Sequence, residues 1–377
     1  MKRYLAVLLF SACCVLALTE RIVHSESKAA PSAAQVHLVI TNQTFDDKGE
    51  PPVLTAQNME VKVGKDEAKV QQLIPAQGDN SAMQLFILID DTCQPEPIGN
   101  NLNDLRDFVN AQPSSTAIGV GYMSNTTVQV TQNLTLDHAA AAKGIRLPRG
   151  SLSAMDSSYL SLVSLVQAWP QQNVRREVLM VTDGIDRLRN DTNGGSNPFS
   201  AGTADMFGPP LPPSAAMDIP GMGAMSTMST MPAMPSMTTM PTIPVDADTA
   251  SKVSQKYGVI VDSIYATGVG RLGRNAWEAQ LGQGGVAKIT EETGGEYFAL
   301  GTQNAVSFRP YLERLQKIFN NQYFLVLQVT PRKKGELERV RIRTEVANAD
   351  IASADDVWVR AEKSDRGYQS LLSTCSK

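Results

Sequence analysis

The side chains most able to do chemistry stand at the ends of two apolar runs. In the first, Leu85–Ile89 reads Leu-Phe-Ile-Leu-Ile and is followed by Asp90, Asp91 and Thr92. In the second, Val178–Val181 is followed by Thr182, Asp183 and Gly184. Carboxylates and hydroxyls are hard oxygen donors. Mg²⁺ and Mn²⁺ prefer such donors in octahedral array and usually keep some waters. A solvated loop after a strand accounts for any single one of these acids; the repeated pattern is what points to a site.

Both runs must be strands buried on two faces, as in a parallel sheet, because they are continuous rather than alternating. In open α/β sheets, ligands bind beyond the carboxyl ends of the strands, where the strand order reverses. The surrounding chain supplies the other elements. Helices are predicted at Asn101–Ala111, closed by Pro113, and at Asp137–Lys143, Tyr159–Trp169 and Asp248–Tyr257. Strands are predicted at Thr116–Met123, Ile260–Ala266 and Glu296–Leu300, with an edge strand at Thr127–Gln132. Asn275–Thr293 reads as a helix interrupted by Gly282, Gly284 and Gly285, and Tyr311–Phe319 as an amphipathic helix. The alternation from residue 84 to 300 argues an α/β fold with a doubly wound, mostly parallel sheet. Short strands at Val36–Thr41, Glu60–Val63 and Val70–Leu73, with Gln322–Thr330, Glu338–Val346 and Val357–Ala361, predict a β accessory region built from both ends of the chain.

Five pieces, in order and spacing, resemble von Willebrand factor A-type (vWA) domains: LFILIDDT, REVLMVTDGID, SIYATGVG, ITEETGGEYF and NNQYFLVLQV. The chain is most similar to the bacterial exported vWA-related proteins, from about Val36 to Val359. The resemblance implies a vWA/Rossmann-like fold and a metal-ion-dependent adhesion site. That site takes an Asp-x-Ser-x-Ser loop, a threonine from a second loop, and an aspartate after the fourth strand. By position, Asp90 and Asp183 supply its carboxylates and Thr92 its first hydroxyl. Gln94 stands where the family has serine. The second-loop threonine has no direct counterpart; of Ser151, Ser153 and Ser157, the spacing to Asp183 favours Ser157. The implied site is therefore a degenerate one for Mg²⁺ or Mn²⁺ on Asp90, Thr92, Gln94, Ser157 and Asp183.

Other chemistries are poorly served. Beyond the N-terminal segment the chain keeps His37 and His138, and neither falls at a strand end facing Asp90, where a Ser-His-Asp triad or a zinc hydrolase would need one. Gly268, Gly270 and Gly273 form a GxGxxG late in the sheet rather than after its first strand, the wrong context for a dinucleotide. A net charge of −4 with 19% charged residues leaves no basic footprint for nucleic acid.

The domain plan has an export signal over 1–25, a β segment over 35–80, a vWA-like domain over 81–320, and a second β segment over 321–363. Lys2 and Arg3 precede an apolar run from Tyr4 to Leu18, the layout of a cleaved signal; an uncleaved membrane anchor is the alternative. Cleavage would leave Cys93 and Cys375, which a single bridge could join outside the cytoplasm. An insertion over 189–244 is rich in proline, glycine, serine and threonine, with methionine at every third residue from Met222 to Met240, and reads as disordered. Its thioethers would suit Cu(I), an alternative function as a metal-handling protein. The leading expectation is an exported, non-catalytic module that binds a protein or another extracytoplasmic macromolecule.

Overall fold

The computed structural model describes residues 34–44, 49–93, 95–150, 156–170, 174–186, 247–266, 276–299 and 306–361. The export signal, Gln94, the methionine-rich insertion, the GxGxxG glycines and Cys375 lie outside the described residues. No helix among the described residues is long and apolar enough to cross a membrane.

Among the described residues, thirteen strands form two sheets. The first along the chain are β1 (Ala34–Thr44), β2 (Met59–Val63) and β3 (Asp66–Pro75). The α/β region follows: β4 (Met83–Asp90), β5 (Thr116–Ser124), β6 (Thr127–Thr135), β7 (Arg175–Thr182), β8 (Ile260–Tyr265) and β9 (Tyr297–Ala299). These six make one sheet in the order β6-β5-β4-β7-β8-β9, with only the edge strand β6 antiparallel. Counted within the sheet that order is 3-2-1-4-5-6, a doubly wound arrangement whose order reverses between β4 and β7.

The helices are α1 (Pro95–Gly99), α2 (Leu102–Asn110), α3 (His138–Gly144), α4 (Ser158–Ala168), α5 (Ala247–Tyr257), α6 (Ala276–Thr293) and α7 (Arg309–Asn320). Strand β4 shows why its run had to be apolar throughout. Leu85, Ile87 and Ile89 pack with α2, α3 and α7 on one face, while Phe86 and Leu88 pack with α4, α5 and α6 on the other. Every residue of β4, β7 and β8 is buried. Burial on this scale, at roughly 25 cal/mol per Å² of apolar surface, is what holds the layers together.

Helix α6 is continuous, where an interruption was expected. Its glycines serve close packing instead. A Cβ on Gly282 would lie 2.5 Å from the Asp183 carbonyl oxygen, and one on Gly285 would collide with the Tyr159 hydroxyl. Gly284 faces open space.

The remaining strands, β10 (Gln322–Val329), β11 (Glu336–Thr344), β12 (Ala349–Ser353) and β13 (Asp356–Val359), join β1–β3 in an antiparallel sheet ordered β12-β1-β10-β3-β2-β11-β13. The two ends of the chain thus build one accessory sheet, as expected, with its own core of Val36, Leu38, Ile40, Leu325 and Leu327. β12 was not foreseen.

A buried polar network ties the sheets together at the amino ends of β7 and β8. Arg175 donates to the Phe319 carbonyl (2.8 Å), to Gln322 Oε1 (2.6 Å) and to the Ser81 carbonyl (2.9 Å). Gln322 Nε2, at the start of β10, donates to Glu177 Oε1 at 2.9 Å. Asp262 Oδ1 accepts from the Glu296 amide at 2.9 Å. Glu177 Oε2 and Asp262 Oδ2 are buried and have no hydrogen-bond partner among the described residues. Burial pushes both carboxyls above their ordinary pKa, and the charge of Asp262 raises Glu177 further.

Candidate metal and ligand site

The site lies where β4 and β7 end side by side. Their parallel register runs from Met83 opposite Arg175 to Ile89 opposite Val181, so Asp90 leaves the sheet beside Thr182. Asp90 is buried and its carboxylate accepts four hydrogen bonds. Thr92 donates twice to Oδ1, from its backbone amide (2.9 Å) and its hydroxyl (2.7 Å). Thr182 Oγ1 and Ser158 Oγ donate to Oδ2 at 2.7 and 3.1 Å. Each carboxyl oxygen thus takes two of these contacts.

The same hydroxyls hold the neighbouring loop. Thr182 Oγ1 accepts from the Gly184 amide at 2.9 Å and lies 3.0 Å from Ser158 Oγ. Asp183 Oδ1 accepts from the Ile185 amide at 3.1 Å. Gly184 has φ of +65°, a left-handed turn suited to glycine, and a Cβ there would strike the Gly282 carbonyl. The Tyr159 hydroxyl donates to the Gly184 carbonyl at 3.0 Å. Backbone-to-backbone packing on α6 therefore sets the position of Asp183.

Asp90, Asp183 and Cys93 bring two carboxylates and a thiol together, with ligand atoms within 4.8 Å of one another. Thr92 joins them through Asp90. Ser157 is buried too, but its hydroxyl caps α4, accepting from the Leu160 amide at 3.3 Å. The hydroxyl that faces Asp90 is that of Ser158, one residue on. The N-cap geometry decides between them, because the cap's side chain must turn back toward the first helical amides. The sequence signal that could have found Ser158 is the Ser-Ser pair at a helix start, where one hydroxyl caps and the next is released to point elsewhere.

Asp91 has a different task. Arg146 grips it with two bonds, Nη1 to Oδ1 at 2.7 Å and Nη2 to Oδ2 at 2.9 Å, and the Arg149 amide adds a third at 2.8 Å. Arg146 also lies over the Tyr122 ring, 3.7 Å from its centroid. The hydrogen bonds from Arg146 to Asp91 hold the guanidinium's pKa above its ordinary value. Asp91 therefore anchors the 146–150 segment beside the site. The two histidines lie elsewhere: His37 is in β1, and His138 Nε2 lies 2.8 Å from the Thr116 carbonyl at the amino edge of the sheet.

The donor set fits a cation. Asp183 and the hydroxyl oxygens of Thr92 and Ser158 are hard ligands with lone pairs to offer, and Cys93 adds a soft one. Asp90 accepts from those hydroxyls and brings the second carboxylate to the same point.

No protein-family model and no curated protein matches the chain. Among solved structures it is similar to an aerotolerance-related membrane protein from Bacteroides fragilis, at 13% identity and a TM-score of 0.35, over 63% of this chain and 99% of that one. It is similar to proximal thread matrix protein 1 from the mussel byssus, at 13% identity and a TM-score of 0.34, over 64% of this chain and 47% of that one. It is also similar to the SpRpn10 VWA domain, at 11% identity and a TM-score of 0.31, over 62% of this chain and 94% of that one. Its 3-2-1-4-5-6 strand order, with helices on both faces and acids and hydroxyls gathered at the reversal point, is the doubly wound α/β architecture that the von Willebrand factor A-type resemblance implies.

Proposed function

We propose that the chain is an exported, non-catalytic binding module that engages a protein or another macromolecule outside the cytoplasm. A divalent cation, Mg²⁺ or Mn²⁺, would be held weakly at the carboxyl edge of its parallel sheet. The observation that supports this reading most is the meeting of Asp90, Thr92, Ser158, Thr182 and Asp183 at one topological reversal point. Such a cluster offers oxygen ligands and no histidine base. Asp183 and the Thr92 and Ser158 hydroxyls would hold the ion, which would present an electrophilic position to an acidic group of the partner.

The test is the melting temperature of the full chain against millimolar Mg²⁺ and Mn²⁺. Binding to the folded state stabilises by mass action, about 2.7 kcal/mol at a hundredfold excess over the dissociation constant. A small saturable rise is expected in the natural chain and none in Asp183→Ala. Equal rises in both would remove the cation from this site.

A further inference from the structure

A second feature lies at the opposite edge of the sheet. Arg176 is the second residue of β7, whose last residue, Thr182, belongs to the site above. It sits on the wall of a cleft of about 780 Å³ between the start of β1, the end of α5 and the segment from β13 to Ala361. The residue is 9% exposed. Nη2 donates to the Tyr257 carbonyl. Nε and Nη1 are buried and have no acceptor among the described residues.

A buried guanidinium cannot escape its charge by deprotonating, so it must find a counter-ion or remain costly. Burial pushes the pKa of Arg176 down, and no carboxylate offsets it. Lys256 and Arg360, both exposed, line the same cleft, against a single carboxylate, Asp356, among its described lining. The Lys256 ammonium lies 4.8 Å from the Trp358 ring centroid, which puts an aromatic face beside the positive charge. An excess of positive charge, unused donors in a planar fork and an aromatic wall are complementary to one ligand chemistry: an oxyanion carried on an organic body.

We propose that this cleft binds a small organic oxyanion, a carboxylate or a phosphate monoester. Its charged group would sit on the Arg176 fork and its body along Trp358. This site is separate from the Asp90–Asp183 cluster and does not depend on a metal there.

The test uses the full chain and four probes: acetate, phenylacetate, inorganic phosphate and phenyl phosphate at constant ionic strength. Binding is read by titration calorimetry and by tryptophan fluorescence. At least one aromatic probe should bind saturably in the millimolar range and more tightly than its bare counterpart. The carboxylate and phosphate arms identify the oxyanion. Arg176→Gln should weaken that binding at least about tenfold. Because a core substitution can impair folding, Lys256→Gln, at an exposed position, provides a second reading and should weaken binding severalfold with an unchanged melting temperature. Asp183→Ala should leave the affinity unchanged. Absence of saturable binding for all four probes would overturn the proposal, as would equal affinity in the natural chain and in the folded Arg176→Gln and Lys256→Gln variants.

Discussion

Thr182 Oγ1 donates a 2.7 Å hydrogen bond to Asp90 Oδ2, from the last residue of one parallel strand to the last of its neighbour. The same oxygen accepts from the Gly184 amide. One hydroxyl therefore settles a buried carboxylate and the turn that carries Asp183. The Asp90 carboxyl is met by donors of the protein itself.

Replacing Thr182 with valine keeps the shape and removes both bonds. A charged acceptor loses a donor and a buried amide loses its partner. The expected cost is about 2–4 kcal/mol in urea unfolding. Thr182→Ser should recover most of it.

The ligand set predicts metal preference. Gln94→Ser restores the serine of the family pattern and should enlarge the Mg²⁺-dependent rise in melting temperature. Cys93 brings a soft sulfur to a hard site, so Zn²⁺ should stabilise the natural chain more than Mg²⁺ does. Cys93→Ser should narrow or reverse that order. An unchanged order in Cys93→Ser would mean that the thiol takes no part.

The Glu177–Asp262 pair should make stability fall with rising pH. Burial pushes the Asp262 carboxyl up to about 7. Burial, then the charge of Asp262, also raises Glu177 well above its ordinary value. Unfolded, both ionise near pH 4 (about 3.9 and 4.3). Between those limits the folded chain binds more protons than the unfolded one. Stability is therefore full below about pH 4, declines toward pH 7 at about 1.4 kcal/mol per pH unit for each retained proton, and levels off once the folded carboxyls ionise. Asp262→Asn can still accept from the Glu296 amide and can donate to Glu177. It should flatten this slope and raise stability at pH 7. A slope unchanged in Asp262→Asn would assign it to other groups.

Two glycines of one helix should respond in opposite directions. Gly282→Ala forces a methyl to within 2.5 Å of the Asp183 carbonyl, and backbone cannot give way as a side chain can. It should cost about 1–3 kcal/mol and blunt any metal response by displacing Asp183. Gly284→Ala meets nothing within 4 Å and should stabilise the helix by up to about 1 kcal/mol. Thermal melts of the two variants, side by side, check both.

The sequence by itself determined the elements whose pattern is local. A continuous apolar run ending in acid is a strand buried on both faces, and β4 and β7 follow from Leu85–Ile89 and Val178–Val181 without reference to anything distant. Periodicity likewise placed α2 and α7, and two matching runs put Asp90 and Asp183 at one edge. Tertiary structure decided what depends on partners far along the chain. Ser158 rather than Ser157 faces Asp90 because a helix cap claims the first hydroxyl. The glycines of α6 look like breaks until the 183–184 backbone is laid against them. β12 escaped notice because its residues, Ala-Asp-Ile-Ala-Ser, carry little strand preference, and pairing with β1 makes the strand. Arg175, Arg176 and Glu177 precede the apolar run Val178–Val181 and belong to the same buried strand. They are buried because β10, some 145 residues later, closes over Arg175 and Glu177, and the end of α5 meets Arg176. Local physics sets which backbone a segment prefers; burial, and with it the chemistry of a buried charge, is set by whatever the fold brings against it.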